Sequence, residues 1–447
     1  MYFIYQILTA LSMIFLAPYY AWRSWRRGEG FHTLGERLGR LRSEIAGRVS
    51  RDTPERTSHS GAIWIHAVSV GEVLAAKPLA QALKHRFPSH VVLVSTTTET
   101  GQRLARERLA FTDGIFYFPL DWVVSVRRAL DTIRPALVIV METEIWPNFL
   151  RQARIENVPV IFANARISEK SFRRYQRWEF LVGPFYARVL ADVELFLAQT
   201  QEDATRLADM GAPEDRIEVT GNLKYDSDPP DVGRFGVWLE GEIQRQERWP
   251  VIVAGSVVED EEEAVLAGYD IVQRRWRRAL LILAPRRPEQ FDQAATTAAA
   301  GGWKVVRRSR VNFDAPLDES ADVLVLDTIG ELAGLYRLAD AVFVGGSLVP
   351  AGGHNILEPA WFAKPPVFGP SMENFRDMAT EFLKARAAVE VTSGQQLGRV
   401  WIQLIEDGRV RERMGRTARE LSERNRGATQ LLVERIAAVL SQRERST

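Results

Sequence analysis

Cysteine is absent from the 447 residues, which removes disulfides, thiolate metal sites and cysteine nucleophiles together. Histidine is scarce, with six in the chain, and leaves few ligands for a zinc or iron centre. No metal site is expected. Net charge is nearly missing too: 58 Lys and Arg stand against 57 Asp and Glu, giving +1, so the balance argues against a general nucleic-acid binder. Neither G-x-G-x-x-G nor G-x-x-x-x-G-K-[ST] occurs, which argues against an ordinary dinucleotide or nucleoside-triphosphate loop. What the chain does hold is core material, with 46% hydrophobic and 26% charged residues. That is a folded protein, long enough for two or three domains at roughly 100–200 residues each.

The near-neutral total conceals a local asymmetry. Residues 2–21 carry no charge, and roughly 20 apolar residues suffice to span a bilayer core. Trp22 and Trp25 follow, interleaved with Arg23, Arg26 and Arg27, and residues 23–51 hold eight Arg against Glu29, Glu36 and Glu44. Arginine beside an apolar segment marks the cytoplasmic flank, and tryptophan favours the headgroup layer. A signal peptide would place basic residues before the apolar run, and Met1-Tyr2-Phe3 has none. Residues 1–27 are therefore expected to form a membrane anchor, spanning the bilayer or lying in its interface, with the rest of the chain on the cytoplasmic side.

Beyond Gly61 the chain alternates short β-branched runs with helical spacing. Ile63–His66, Val91–Val94, Ala136–Val140 and Val158–Phe162 read as buried parallel strands. The paired prolines of Asp226–Trp249 break the rhythm, and it restarts at Val251–Ala254, Leu281–Leu283, Val323–Leu326 and Ala341–Val344. Such alternation predicts α/β architecture with doubly wound sheets. The expected domains are 28–225 and 250–447, joined by a linker at 226–249, with the C-terminal helices belonging to the second. Ligands are expected at the carboxyl ends of the strands.

The loops at those ends carry the chemistry. His66-Ala67-Val68-Ser69-Val70-Gly71-Glu72 places Glu72 in the first turn of a helix, where it serves either as a cap or as a carboxylate facing a substrate. Met141-Glu142-Thr143-Glu144 puts two carboxylates after a very apolar strand; capping accounts for one more readily than for both. Lys224, in Thr220–Asp226, suits a phosphate or carboxylate. In the second half, Pro285-Arg286-Arg287 sets two guanidinium groups at a sheet end, a suitable anion site. Ile329-Gly330-Glu331 forms a turn before a helix. Gly345–Pro359 holds four glycines in nine residues, so its backbone can approach a phosphate closely while the next helix offers free N–H groups. Glu358 lies one turn further on, within reach of ribose hydroxyls. The D-x-D at Asp226–Asp228 sits outside any strand end and is a weak metal candidate.

Read in order, HAVSVGE, STTTETG, METEIWPN, FANARIS, TGNLKYD, APRRPE, DTIGEL and GGSLVPAGGHNILEPA resemble the 3-deoxy-D-manno-octulosonic acid (Kdo) transferases, from about residue 33 to about 376. The resemblance implies a GT-B glycosyltransferase: two Rossmann-like domains facing a central cleft, with an N-terminal membrane-anchor helix. It implies transfer of Kdo from CMP-Kdo to a lipid A precursor at the bacterial inner membrane, with no further cofactor and no nucleic-acid partner. By the same likeness, Glu72 matches the general base, Glu142 and Lys224 match residues assisting the transition state, and CMP contacts fall on Pro285, Arg286, Ile329, Gly330, Glu331, Asn355, Ile356, Leu357 and Glu358. Three family histidines are missing, with Val257-Val258, Arg287 and Ala351 standing in their places, and His354 is the only histidine in the nucleotide half. A transferase for another nucleotide sugar would share the glycine-rich loop but not HAVSVGE with METEIWPN. A tethered nucleotide-binding protein without turnover would be marked by loss of the base.

Overall fold

The computed structural model describes residues 2, 5–7, 9–12, 32–49, 61–226 and 231–444. The chain divides into two compact units, Met1–Ser227 with Asn425–Thr447, and Asp228–Arg424. Each is built on a seven-stranded sheet whose described pairings are all parallel.

In the first unit the strands are β1 (Ala62–His66), β2 (Val91–Thr96), β3 (Gly114–Tyr117), β4 (Pro135–Met141), β5 (Val160–Ala165), β6 (Leu195–Ala198) and β7 (Ile217–Val219). Their order across the sheet is β3-β2-β1-β4-β5-β6-β7. Helices cover both faces, so both sides of each central strand are buried and its sequence runs apolar without alternation. Along β1, Ala62 and Trp64 enter one core layer while Ile63 and Ile65 enter the other. Trp64 is fully buried and donates its indole N–H to Ser95 Oγ at 2.7 Å, which satisfies its one polar atom.

The second unit contains β8 (Val251–Val257), β9 (Leu280–Pro285), β10 (Val305–Arg307), β11 (Val323–Val325), β12 (Ala341–Val344), β13 (Val367–Phe368) and β14 (Val389–Glu390), in the order β10-β11-β9-β8-β12-β13-β14. Here the first strand in sequence, β8, lies at the centre of the sheet, whereas in the first unit the central strand is β4 with β1 beside it.

The unit boundaries differ from the expected domains in two places. Most of the expected linker is a helix, Gly233–Arg245, which buries Phe235 and Leu239 in the core of the second unit. The prolines precede it, and an i, i+4 apolar pair is enough to dock one face. The last helix, Ala428–Glu444, belongs to the first unit. It lays Ala428, Leu432, Ile436 and Leu440 at four-residue spacing into the layer that holds Ile63 and Ile65. Asp226 fixes its start, accepting the N–H of Gly427 at 2.6 Å and that of Thr429. The first carboxylate of the D-x-D is thus a helix clamp; Asp228 lies outside the described residues.

The expected anchor falls mostly outside the described residues. Among those described, no helix is long and apolar enough to cross a membrane. Tyr2 donates its hydroxyl to Asp192 at 2.9 Å and Tyr5 to Asp121 at 2.8 Å, and both rings pack against Phe185.

Candidate active site

In the first sheet the strand order reverses direction between β1 and β4, and a doubly wound sheet opens its ligand crevice at that switch point. Glu72 follows β1 and Glu142 follows β4, so the two candidate carboxylates flank it. Ser69 ends the loop as the N-cap of the helix Val70–Arg86 and forms a reciprocal capping box with Glu72. Glu72 Oε2 accepts the N–H of Val68 at 2.8 Å, while Oε1 accepts the Ser69 N–H at 3.2 Å and the Ser69 hydroxyl at 2.8 Å. Of the two roles considered for Glu72, the cap is therefore present. The cap engages its carboxylate with three donors, and a carboxylate offers about four lone-pair sites. Burial pushes Glu72 up to about 7, against the pull of the Val68 N–H and with added push from the charges of Glu142 and Glu144.

Glu142 holds a left-handed backbone, φ 54°, and donates its N–H to Ala163 O at 2.9 Å. A non-glycine residue there carries strain, which tends to collect at functional sites. Glu144 is likewise pushed up, by burial first and then by Glu142.

Lys224 lies on the short 3-10 turn Leu223–Asp226, packed against both the helix that Glu72 begins and the C-terminal helix. A buried amide network sets this turn. Asn164, itself left-handed at φ 56°, accepts the N–H of Leu223 at 3.0 Å. Gln199 donates to Asn164 O at 3.0 Å and accepts from Asn222 at 2.9 Å, and Asn222 accepts the N–H of Lys224 at 3.0 Å.

In the second unit the expected nucleotide residues fall at the carboxyl ends of the adjacent strands β11 and β9 and of β12, which β8 separates from β9. Pro285 closes β9 and is buried. Arg286 is exposed and pinned by its N–H to Val257 O at 2.8 Å. After β12, Asn355 caps the turn through Oδ1, accepting the Leu357 N–H at 3.1 Å. The side chains of Ile356 and Leu357 are fully buried, so only their backbone is available to a ligand. Burial pushes Glu358 up to about 7, opposed by Arg286 and by a hydrogen bond with Asn355. After β11, Ile329 is 71% exposed and Gly330 takes φ 94°, a flat apolar step beside a turn only glycine adopts readily. The Glu331 carboxylate is already engaged, by Arg308 at 2.8 Å and by the Thr328 hydroxyl. It shapes the turn.

The glycine-rich loop corrects one expectation. The N–H groups of Gly346, Ser347 and Leu348 point at the carboxylate of Glu261 at 2.6, 2.8 and 2.7 Å. The loop's open donors come later: among the described residues, none accepts from the N–H groups of His354, Asn355 and Ile356. Burial pushes His354 down to about 4, with Arg286 and Arg287 adding to the effect, so it is neutral at neutral pH. Of the positions that depart from the family pattern, Arg287 is exposed and Val257 is fully buried.

Sequence reasoning passed over Asn164, Gln199 and Glu261. Asn164 lies within FANARIS, and a buried amide after a strand is a readable signal. Glu261 lies in an acidic run, where nothing in the sequence distinguishes it from the exposed Glu259, Asp260 and Glu263.

Residues 32–227 match the family model described as 3-Deoxy-D-manno-octulosonic-acid transferase (kdotransferase). The chain is 34% identical over 375 residues to 3-deoxy-D-manno-octulosonic acid transferase of Haemophilus influenzae, covering 83% of this chain and 86% of the relative. It is also 34% identical over 431 residues to the enzyme of the same name from Bordetella pertussis, covering 90% and 97%. Among solved structures it resembles UDP-GlcNAc 2-epimerase from Neisseria meningitidis bound to UDP-GlcNAc, with TM-score 0.55 and 14% identity over 84% of this chain and 100% of that one. Anabaena HepE in complex with UDP and glucose gives 0.53 and 15% over 85% and 100%. These two likenesses speak to fold, and agree with two parallel-sheet α/β domains of the GT-B kind. With the motifs of both units set at the strand ends, and relatives matched over most of their length, the chain belongs to the 3-deoxy-D-manno-octulosonic acid transferase family of glycosyltransferases.

Proposed function

We propose that this Kdo transferase moves Kdo from CMP-Kdo to a lipid A precursor by an inverting, metal-independent displacement, with Glu72 as general base. The observation that carries the proposal is the state of Glu72, a buried carboxylate at the β1–β4 switch point pushed up to about 7 beside two further carboxylates. A general base works best with a pKa near the working pH, and contributes about 10²–10⁴-fold. The acceptor is a sugar hydroxyl. Its oxygen attacks the anomeric carbon of Kdo, its proton passes to Glu72, and the bond to the CMP phosphate breaks with the electron pair leaving on CMP. Attack opposite the leaving group inverts the anomeric centre. Positive charge building at that carbon is steadied by Glu142, by analogy with glycoside hydrolysis, and Lys224 assists. Charge gathering on the CMP phosphate meets Arg286 and the N–H groups of His354–Ile356. Ile329, Gly330 and Glu331 form the wall for the base, and Glu358 receives the ribose hydroxyls.

The eight arginines between residues 23 and 51 suit an acceptor that is both lipid-embedded and phosphorylated. They support placing the enzyme on the cytoplasmic face of a bacterial inner membrane, with residues 1–27 as its anchor. The test incubates the purified full-length chain with CMP-Kdo and a lipid A precursor and weighs the lipid product. Added Kdo mass is expected, and its multiple gives the number of Kdo units transferred. No added mass from protein that still binds CMP would sink the reaction. Recovery of the chain in the soluble fraction of Gram-negative cells would remove the anchor.

A further inference from the structure

Glu261 is fully buried and bound by backbone alone. Its Oε2 accepts the N–H of Gly346 at 2.6 Å and of Val258 at 3.1 Å, and its Oε1 accepts those of Ser347 at 2.8 Å and Leu348 at 2.7 Å. Three successive N–H groups of a glycine-rich turn converging on one point form a nest, the backbone arrangement that ordinarily holds a bound anion. Here the anion belongs to the protein. The chain is shaped to bring it in: Asp260, just before Glu261, and Ser256, at the end of β8, both take left-handed φ, 71° and 55°. Gly345 must be glycine for the same closure, since a Cβ there would sit 2.6 Å from Ser256 O.

The clamped turn is the floor of the donor loop. Gly346 O accepts the N–H of Gly353 at 2.7 Å, and a Cβ on Gly346 would lie 2.8 Å from the His354 ring. Ser347 ties the same turn to the next strand, accepting the Gly369 N–H at 2.8 Å and donating to Val344 O at 2.6 Å. The stretch His354–Glu358, with its open N–H groups, therefore rests directly on the turn that Glu261 holds.

We propose that Glu261 is a positioning residue that fills the nest of Gly346–Leu348 as a built-in anion, fixing His354–Glu358 in the geometry that receives the donor phosphate and ribose. The assignment to the donor rests on the reading under Proposed function; the clamp itself does not. A consequence is that the donor phosphate does not enter the nest at all and is met by the later N–H groups and Arg286. A second consequence is chemical. Glutamine cannot replace Glu261, because each carboxylate oxygen serves two N–H donors and the amide NH2 would face two of them.

The test uses Glu261→Ala and Glu261→Gln in the full chain, with acetate or formate as the probe. Hydrogen exchange across residues 345–358 is read first. Protection is expected to be lost in both variants and regained in Glu261→Ala, and only there, when a small carboxylate enters the vacated site. CMP binding is read second, and is expected to weaken by about tenfold or more, as for a lost charge-assisted hydrogen bond, and to recover with acetate in Glu261→Ala alone. Unchanged exchange in both variants, or loss that no carboxylate reverses, overturns the clamp. Exchange that changes as expected while CMP binding stays within twofold of wild type overturns the link to the donor. If wild-type protein binds no CMP, the donor reading itself fails, and exchange still decides the clamp. Should Glu261→Ala not fold, Glu261→Gln decides by the same two readouts: wild-type exchange and CMP affinity in it overturn the proposal.

Discussion

Each unit sets a glutamate in the turn that follows its first strand, and each glutamate accepts backbone N–H groups, yet the surroundings of the two differ. Glu72, after β1, takes two backbone N–H groups and a hydroxyl from its own capping turn. Its other neighbours are like charges, Glu142 and Glu144. Glu261, after β8, takes four N–H groups, three of them from a loop that arrives from β12. The difference lies in what comes across the switch point. In the first unit burial raises the proton affinity of Glu72, and the facing loop supplies carboxylates that add to that push. In the second it supplies donors, which saturate Glu261. A carboxylate left under-satisfied is available for proton transfer, and one fully satisfied is part of the scaffold. Under the proposed mechanism, comparable positions in the two units thus hold a reactive carboxylate and a structural one, and the facing loops differ in step.

The largest effect that would sharpen this contrast is expected at Glu72. Glu72→Gln should retain much of the capping geometry yet lower kcat by about 10²–10⁴-fold, the usual share of a general base, with a stability change within about 1 kcal/mol. Turnover near wild type would reduce Glu72 to a cap and dissolve the comparison. Glu261→Gln should behave the other way, lowering stability by about 2–3 kcal/mol through buried donors left without an acceptor, readable as a fall in the denaturation midpoint. A Glu261→Gln protein as stable as wild type would show that the saturated carboxylate is not structural.

Next in size is the pH dependence. Glu72 must be ionised to accept a proton, and its carboxyl sits at about 7. The rate should therefore fall about tenfold for each unit of pH below that value. Neutralising its neighbour through Glu142→Gln removes a like charge, so the acid limb should move to lower pH even as the rate itself drops. An acid limb that stays in place after Glu142→Gln would mean that the facing loop does not set the state of Glu72.

Much of this could be read from the sequence, and for a physical reason. Strands buried on both faces are written as unbroken apolar runs, so Ile63–His66 and Val138–Val140 announce themselves, and functional loops at their carboxyl ends follow from the parallel topology. Glu72 and Glu142 stand out because each follows such a strand, and the capping box of Glu72 is legible in the same loop. The role of Glu261 is not legible, because it depends on a loop 85 residues away in sequence whose N–H groups happen to converge on it. The stripe Ala428, Leu432, Ile436 and Leu440 announces a helix with one apolar face, yet periodicity does not say which sheet it will cover. Its return to the first unit is a matter of topology. The helix Gly233–Arg245 was obscured by the prolines before it, although Phe235 and Leu239 mark its buried face.

The smallest effect is the one that isolates strain from chemistry. Glu142 holds φ 54° at a position where glycine would lose little, and a left-handed backbone costs an ordinary residue about 1 kcal/mol. Glu142→Ala and Glu142→Gly both delete the carboxylate, so both should lose the same share of activity. Only the glycine variant also relieves the backbone, and it should be the more stable of the two by about 1 kcal/mol, measured by urea denaturation. That ordering would mean the first unit sacrifices stability to aim Glu142 at the crevice, whereas Asp260 and Ser256, left-handed as well, spend theirs on bringing Glu261 to its nest. Equal stability of the two variants would remove strain from the account of Glu142 and leave only its charge to explain why a glutamate stands there.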